Sequence, residues 1–155
     1  SEPLLIFARG GRFGLIDQFI KNTYEVLSPL HRITALLPMT DHRFETADRT
    51  VESTRFGPDV RVTVNYGASD YRAGNAVLSQ HGFLVEAPGL IAFCARRYGA
   101  ITYKEPTFFV VRSLDGEPLE SARRVRIYRG FGDDRIEWAG SVLTVETERI
   151  IDRSR

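Results

Sequence analysis

The sequence has a single cysteine, Cys94, in 155 residues, so no disulfide can close within the chain and no cysteine cluster can hold zinc. A disulfide-stapled secreted scaffold is thereby excluded. Charge of one sign is also lacking: 21 Lys and Arg against 20 Asp and Glu leave a formal charge of +1. A nucleic-acid-binding domain ordinarily gathers a basic excess on one face. Here the densest basic group, Arg123, Arg124 and Arg126, is soon followed by Asp133 and Asp134, so nucleic acid is not an expected partner. No apolar run approaches the roughly 18–20 residues that span a bilayer, and Leu4 to Ala8 is short even for the apolar region of a signal peptide. A membrane partner is therefore not expected. The one methionine is Met39, and Ser1 reads as a boundary, with a segment of the natural protein expected before it.

What is present fits one folded domain. A hydrophobic share of 43% with almost no net charge is incompatible with wholesale disorder. The length suffices to bury a single core. One helix is expected, over roughly residues 13 to 30. Ile16, Phe19, Ile20, Thr23, Leu27 and Leu30 recur at spacings of three and four, which makes an apolar stripe. Asp17 suits the positive end of the helix dipole, and Pro29 marks the exit. Tyr24 and Val26 widen the apolar surface, so this helix should be packed on something.

From about Ile33 the period changes to two. Val60, Val62, Val64 and Tyr66 alternate with Arg61, Thr63 and Asn65, as do Val125 and Ile127 with Arg124, Arg126 and Tyr128, and Leu143 and Val145 with Thr144 and Glu146. Phe83 to Val85, Leu90 to Ala95 and Phe108 to Val111 are continuously apolar and suit central strands covered on both faces, or strands near an inter-domain contact. Turn signals such as Ala87-Pro88-Gly89 and Leu114-Asp115-Gly116 separate them at short intervals. The expected fold is mainly β: an antiparallel β-sandwich over residues 33–155, preceded by a helical segment over residues 1–32. Residues 67–76 are expected to form a long surface loop.

The sequence offers little chemistry. Gly10-Gly11-Arg12-Phe13-Gly14 has neither a P-loop lysine nor the GxGxxG spacing, and reads as a helix start. His31, His42 and His81 include no i, i+4 pair, so neither metal nor cofactor is expected. Asp41-His42 is an adjacent acid–imidazole pair, but neighbours on a strand point to opposite faces. With His81, that pair is the only plausible starting set for a standalone enzyme. Glycoside hydrolysis needs two carboxylates about 5–10 Å apart. Glu86, Glu105, Asp115 and Glu137 are among the candidates, yet nearly all the acids are placed as solvent-facing carboxylates would be, and no pair is singled out. No catalytic residue is therefore assigned. Aromatic rings can stack on sugars, and Tyr66, Tyr71, Tyr98, Tyr103, Tyr128 and Trp138 are available. Tyr71 in the expected loop and Tyr128 beside Arg124 and Arg126 are the candidate carbohydrate-binding residues, although packing is the commoner role for either.

The order of features resembles a known arrangement. Phe19 to Leu27, then Pro38-Met39-Thr40-Asp41-His42-Arg43-Phe44, leads into Val62-Thr63-Val64-Asn65-Tyr66-Gly67 and later His81-Gly82-Phe83-Leu84-Val85-Glu86. Over roughly residues 13 to 113 this resembles the passage from a bacterial glycoside hydrolase barrel into its C-terminal β-sandwich. The resemblance implies a non-catalytic accessory domain that packs on and stabilises a (β/α)8 barrel carrying the two carboxylates upstream in the same polypeptide. Carbohydrate is a second candidate partner, through an independent binding module. A structural or adhesion sandwich unrelated to sugar is the remaining alternative.

Overall fold

The computed structural model describes residues 15–153, with side chains from Gln18 onward. Leu4 to Ala8 and the glycines before the helix lie outside the described residues. The helix α1 spans Leu15–Thr34. Twelve strands follow: β1 (Met39–Phe44), β2 (Val51–Phe56), β3 (Val60–Asn65), β4 (Tyr71–Ala73), β5 (Ala76–Leu78), β6 (Phe83–Ala87), β7 (Leu90–Tyr98), β8 (Ile101–Ser113), β9 (Arg124–Phe131), β10 (Arg135–Trp138), β11 (Ser141–Thr144) and β12 (Glu148–Asp152). Among the described residues the fold is mainly β with one preceding helix, in keeping with the periodicity.

The main sheet is an up-and-down antiparallel ribbon in the order β1-β2-β3-β6-β7-β8-β9-β12. Two hairpins interrupt it. The pair β4–β5 is inserted between β3 and β6, and β10–β11 between β9 and β12. The β4–β5 hairpin stays joined to the main sheet, because β5 pairs with the end of β7, Ala76 opposite Tyr98 and Val77 opposite Arg97. By contrast, β10–β11 is a separate two-stranded sheet, and both hairpins contribute to the core on the same face. Their Ala73, Ala76, Leu78 and Ile136 join Leu84, Phe93, Phe109, Val111, Val125 and Ile127 from the main sheet in the larger core. On the opposite face Val85, Leu90, Ala92, Phe108, Val110 and Tyr128 meet Val26 of α1, with Leu30 and Ile33 packed against them.

Strand pleating explains this division. Along β7, Phe93 and Ala95 face the hairpins, while Leu90 and Ala92 face the helix. Along β8, Phe109 and Val111 take the first face and Phe108 and Val110 the second. The continuously apolar runs are thus central strands buried on both sides.

Two local expectations are corrected. Pro29 does not end α1, which continues to Thr34. An interior proline loses one ladder hydrogen bond and crowds the carbonyl four residues earlier, but the contacts of Leu30 and Ile33 with the sheet hold the last turn. The Thr34 hydroxyl donates to the Leu30 carbonyl at 3.0 Å, and His31 and Arg32 suit the negative end of the dipole. Residues 67–76 are not one long loop, because they include β4 and the Gly74-Asn75 turn of a tight hairpin. Gly74 takes a positive φ of 51°, which glycine supplies at little steric cost. Alanines at 73 and 76 give only a weak alternating signal, so the Gly-Asn pair is the informative feature.

Candidate functional site

An open apolar groove of about 400 Å³ lies between α1 and the main sheet. Phe19, Thr23 and Leu27 line it from the helix, and Val62, Val64, Phe83 and Val85 from β3 and β6. It exists because α1 is fastened along one flank only. The Tyr128 hydroxyl donates to Asn22 Oδ1 at 2.8 Å, and Gln18 Nε2 donates to the Tyr128 oxygen at 3.0 Å. Arg126 grips Glu25 with two bonds, at 2.6 and 3.1 Å. A Cβ at Gly130 would run into the Phe108 ring and lie 2.9 Å from Asn22 Oδ1, so the close approach of helix and strand needs glycine there. These anchors all fall on β9 and its neighbour β8, leaving the β3–β6 side of the helix open.

The same one-sided seating turns apolar residues outward. Phe19 is 70% exposed, Tyr24 64%, Leu27 55% and Ile20 50%. Among its described residues, the stripe read from the sequence therefore packs on the sheet only through Leu30, while Phe19, Ile20 and Leu27 are turned outward. Val26, Leu30 and Ile33 form the packed face. The lining offers little chemistry of its own. Burial pushes the Cys94 thiol up to about 11, which keeps it neutral and a poor nucleophile.

Tyr71 and Tyr128 do not form a shared platform. Tyr71 lies on β4, half-buried against the hairpin-side core, whereas Tyr128 lies on the helix side. Tyr128 does share a face with Arg124 and Arg126, as alternation requires, but α1 covers that face and leaves the ring 1% exposed. The expected exposure of Tyr128 is thus corrected: its hydroxyl is part of the helix anchor. Phe93 and Tyr98 stack with ring centroids 4.2 Å apart inside the core. Tyr103 is also buried, Trp138 packs half-buried against the same core, and Tyr66 is exposed.

The titratable candidates are dispersed. Asp41 pairs with Arg43, and His42 Nδ1 lies 3.0 Å from the Thr54 hydroxyl, so the adjacent acid and imidazole serve separate partners. His81 lines the groove instead. Asp115 organises the turn before β9, accepting from the Ser113 hydroxyl and from the Glu117, Arg123 and Arg124 amides. The hydrogen bond from Ser113, followed by those from the amides, holds its carboxyl down at about 2. Glu137 accepts the Ala100 amide at 2.6 Å. Glu105 is exposed on β8. Glu86 and Glu137 both act on the Tyr98 hydroxyl, whose pKa rises to about 12 chiefly through burial and then through those two charges. No group of three or more His, Cys, Asp or Glu suited to a metal occurs among the described residues.

No family model, curated protein or solved structure matches this chain.

The geometry of the site gives the phrases Val62 to Gly67 and His81 to Glu86 a structural role. Val64 on β3 pairs with Phe83 on β6, and the Asn65 amide donates to the Gly82 carbonyl at 2.9 Å. The fully buried Asn65 side chain donates to the Ser69 and Leu78 carbonyls and accepts from the Gly67 amide, all at 2.9 Å. The two phrases are therefore neighbours in space, and their asparagine staples the β3–β4 connection beside the groove. Sequence reading missed this staple and the helix anchor, because each joins residues far apart in the chain. The polar Gln18, Asn22 and Glu25 beside an apolar stripe are the signal that a second helix face was committed to hydrogen bonds.

Proposed function

We propose that this domain is the non-catalytic C-terminal accessory sandwich of a glycoside hydrolase, packing through α1 on the catalytic barrel of the same polypeptide. The observation that carries the reading is the outward row of Phe19, Ile20, Tyr24 and Leu27, of which Phe19 and Leu27 also line the open groove. Fully burying one large apolar side chain is worth roughly 1.5–3 kcal/mol, so a covering domain would gain several such increments. An apolar patch of this kind ordinarily marks an interaction surface. The resemblance of Val62 to Gly67 and His81 to Glu86 to a hydrolase sandwich supplies the identity of the partner. In this reading the barrel carries both catalytic carboxylates and the sandwich stabilises it.

The dispersal of the acids also supports a non-catalytic part. Asp115 and Glu137 are each occupied by backbone donors, and Asp41 and His42 are each turned to a different neighbour. Incubated with a panel of chromogenic glycosides, the 155-residue chain is expected to release no chromophore above the uncatalysed rate. Turnover abolished by Glu86→Gln or Glu137→Gln would overturn the reading and make this chain an enzyme.

A further inference from the structure

We propose that a second, polar pocket on the other flank of α1 binds a small oxyanion: a carboxylate, sulfate or phosphate group. The pocket has a volume of about 190 Å³ and lies between α1 and the strands β8 and β9. Tyr24, Glu25, Ser28 and Arg32 line it from the helix, and Arg112 and Arg126 from the sheet. It is smaller than the roughly 300–1,000 Å³ that houses a drug-sized ligand, so it suits one acidic group.

Its charges are unbalanced. Arg126 binds Glu25 at 2.6 Å and, from the other side, Glu148 at 2.7 Å. Both carboxylates are thereby committed to one guanidinium. Arg112 stands directly opposite Arg126 in the antiparallel register. Like charges facing each other across a strand pair destabilise it. Arg112 and Arg32 have no ion-pair partner among the described residues. The hydroxyls of Tyr24 and Ser28 add two donors beside them. A guanidinium offers a planar fork that matches an oxyanion with two parallel bonds. An anion between Arg32 and Arg112 supplies the missing counter-charge, while Glu25 stays on Arg126. This site goes beyond the accessory role and does not rest on it.

The test is an amide NMR titration of the chain in which sodium sulfate, sodium phosphate and sodium glucuronate each replace sodium chloride at constant ionic strength. At least one anion is expected to give saturable shifts at residues 24–32, 112 and 126, and the one that saturates identifies the acidic group. Arg112→Gln and Arg32→Gln are each expected to weaken that binding about tenfold, the loss of one charge-assisted contact. In chloride alone, Arg112→Gln should keep or raise the thermal midpoint, because it removes the facing positive charge. Arg96→Gln, remote from the pocket, should change nothing. Shifts no larger than those in chloride, or binding that survives both pocket substitutions, would overturn the proposal.

Discussion

Phe93→Ala is expected to lower the unfolding free energy by about 3–5 kcal/mol, the range for emptying a large aromatic site in a core. Phe93 is fully buried at the centre of the larger core, stacked on Tyr98 at 4.2 Å and set at a tilt against Phe109 at 5.8 Å. It rises from β7, between β6 and β8, where the backbone has little freedom to collapse into the void. Phe19→Ala is the matched contrast. That ring is 70% exposed, so its removal from the isolated chain should change stability by no more than about 0.5 kcal/mol. Urea denaturation followed by circular dichroism measures both. A loss below about 1 kcal/mol for Phe93→Ala would show that the hairpins do not close over this face.

Arg126→Ala is expected to cost roughly 2–3 kcal/mol and to loosen α1. The Arg126 and Glu25 side chains are 12% and 14% exposed, while Glu148 is half exposed. Burial acts to lower the Arg126 pKa, but the bonds to Glu25 and Glu148 outweigh it and hold the pKa above its ordinary value. Removing one partner of a largely buried pair costs about 3–5 kcal/mol, mainly because the other charge is left uncompensated. The residual exposure and the solvated Glu148 place this case at or below the lower end. The sign of the coupling is the sharper expectation. Adding Glu25→Gln to Arg126→Met should recover part of the loss caused by Arg126→Met alone, since no buried carboxylate then remains unpaired. Strictly additive losses would mean that the pair does not fasten the helix. Hydrogen exchange over residues 18–34 should quicken in Arg126→Ala while that of β7 and β8 holds.

Both predictions turn on which face of each element is covered, and that was legible in part. Period-two runs such as Val60 to Val64 and continuous runs such as Phe108 to Val111 specified strands and separated half-buried from fully buried ones, because the pleat fixes side-chain direction. The 3.6-residue recurrence specified α1. It did not specify how α1 sits, since Phe19 and Leu27 on one flank are as apolar as Val26 and Leu30 beneath. The decision is made by Tyr128 and Arg126, more than a hundred residues away, which take the polar Gln18, Asn22 and Glu25. The hairpin β4–β5 was obscured for a different reason: small residues bury little area and leave little pattern, although Ala76 and Leu78 are completely enclosed. At the candidate site, the sequence showed an apolar helix surface in need of a partner. Neither the groove nor the arginine pocket was legible, because both arise from strands and helix meeting at long range.

The proposed accessory role makes the outward face of α1 an intramolecular docking surface. The most direct measurement places a photoreactive phenylalanine analogue at Ile20 in the natural polypeptide, irradiates it in the source cells and maps the cross-linked peptides. Ile20 is half exposed and points away from the sheet anchors, so the substitution leaves the fold intact. Cross-links are expected to a peptide of the same polypeptide outside these 155 residues, within a barrel that holds the hydrolytic carboxylates. A natural polypeptide of 17.5 kDa, or a probe that joins only other proteins or nothing, would contradict that role.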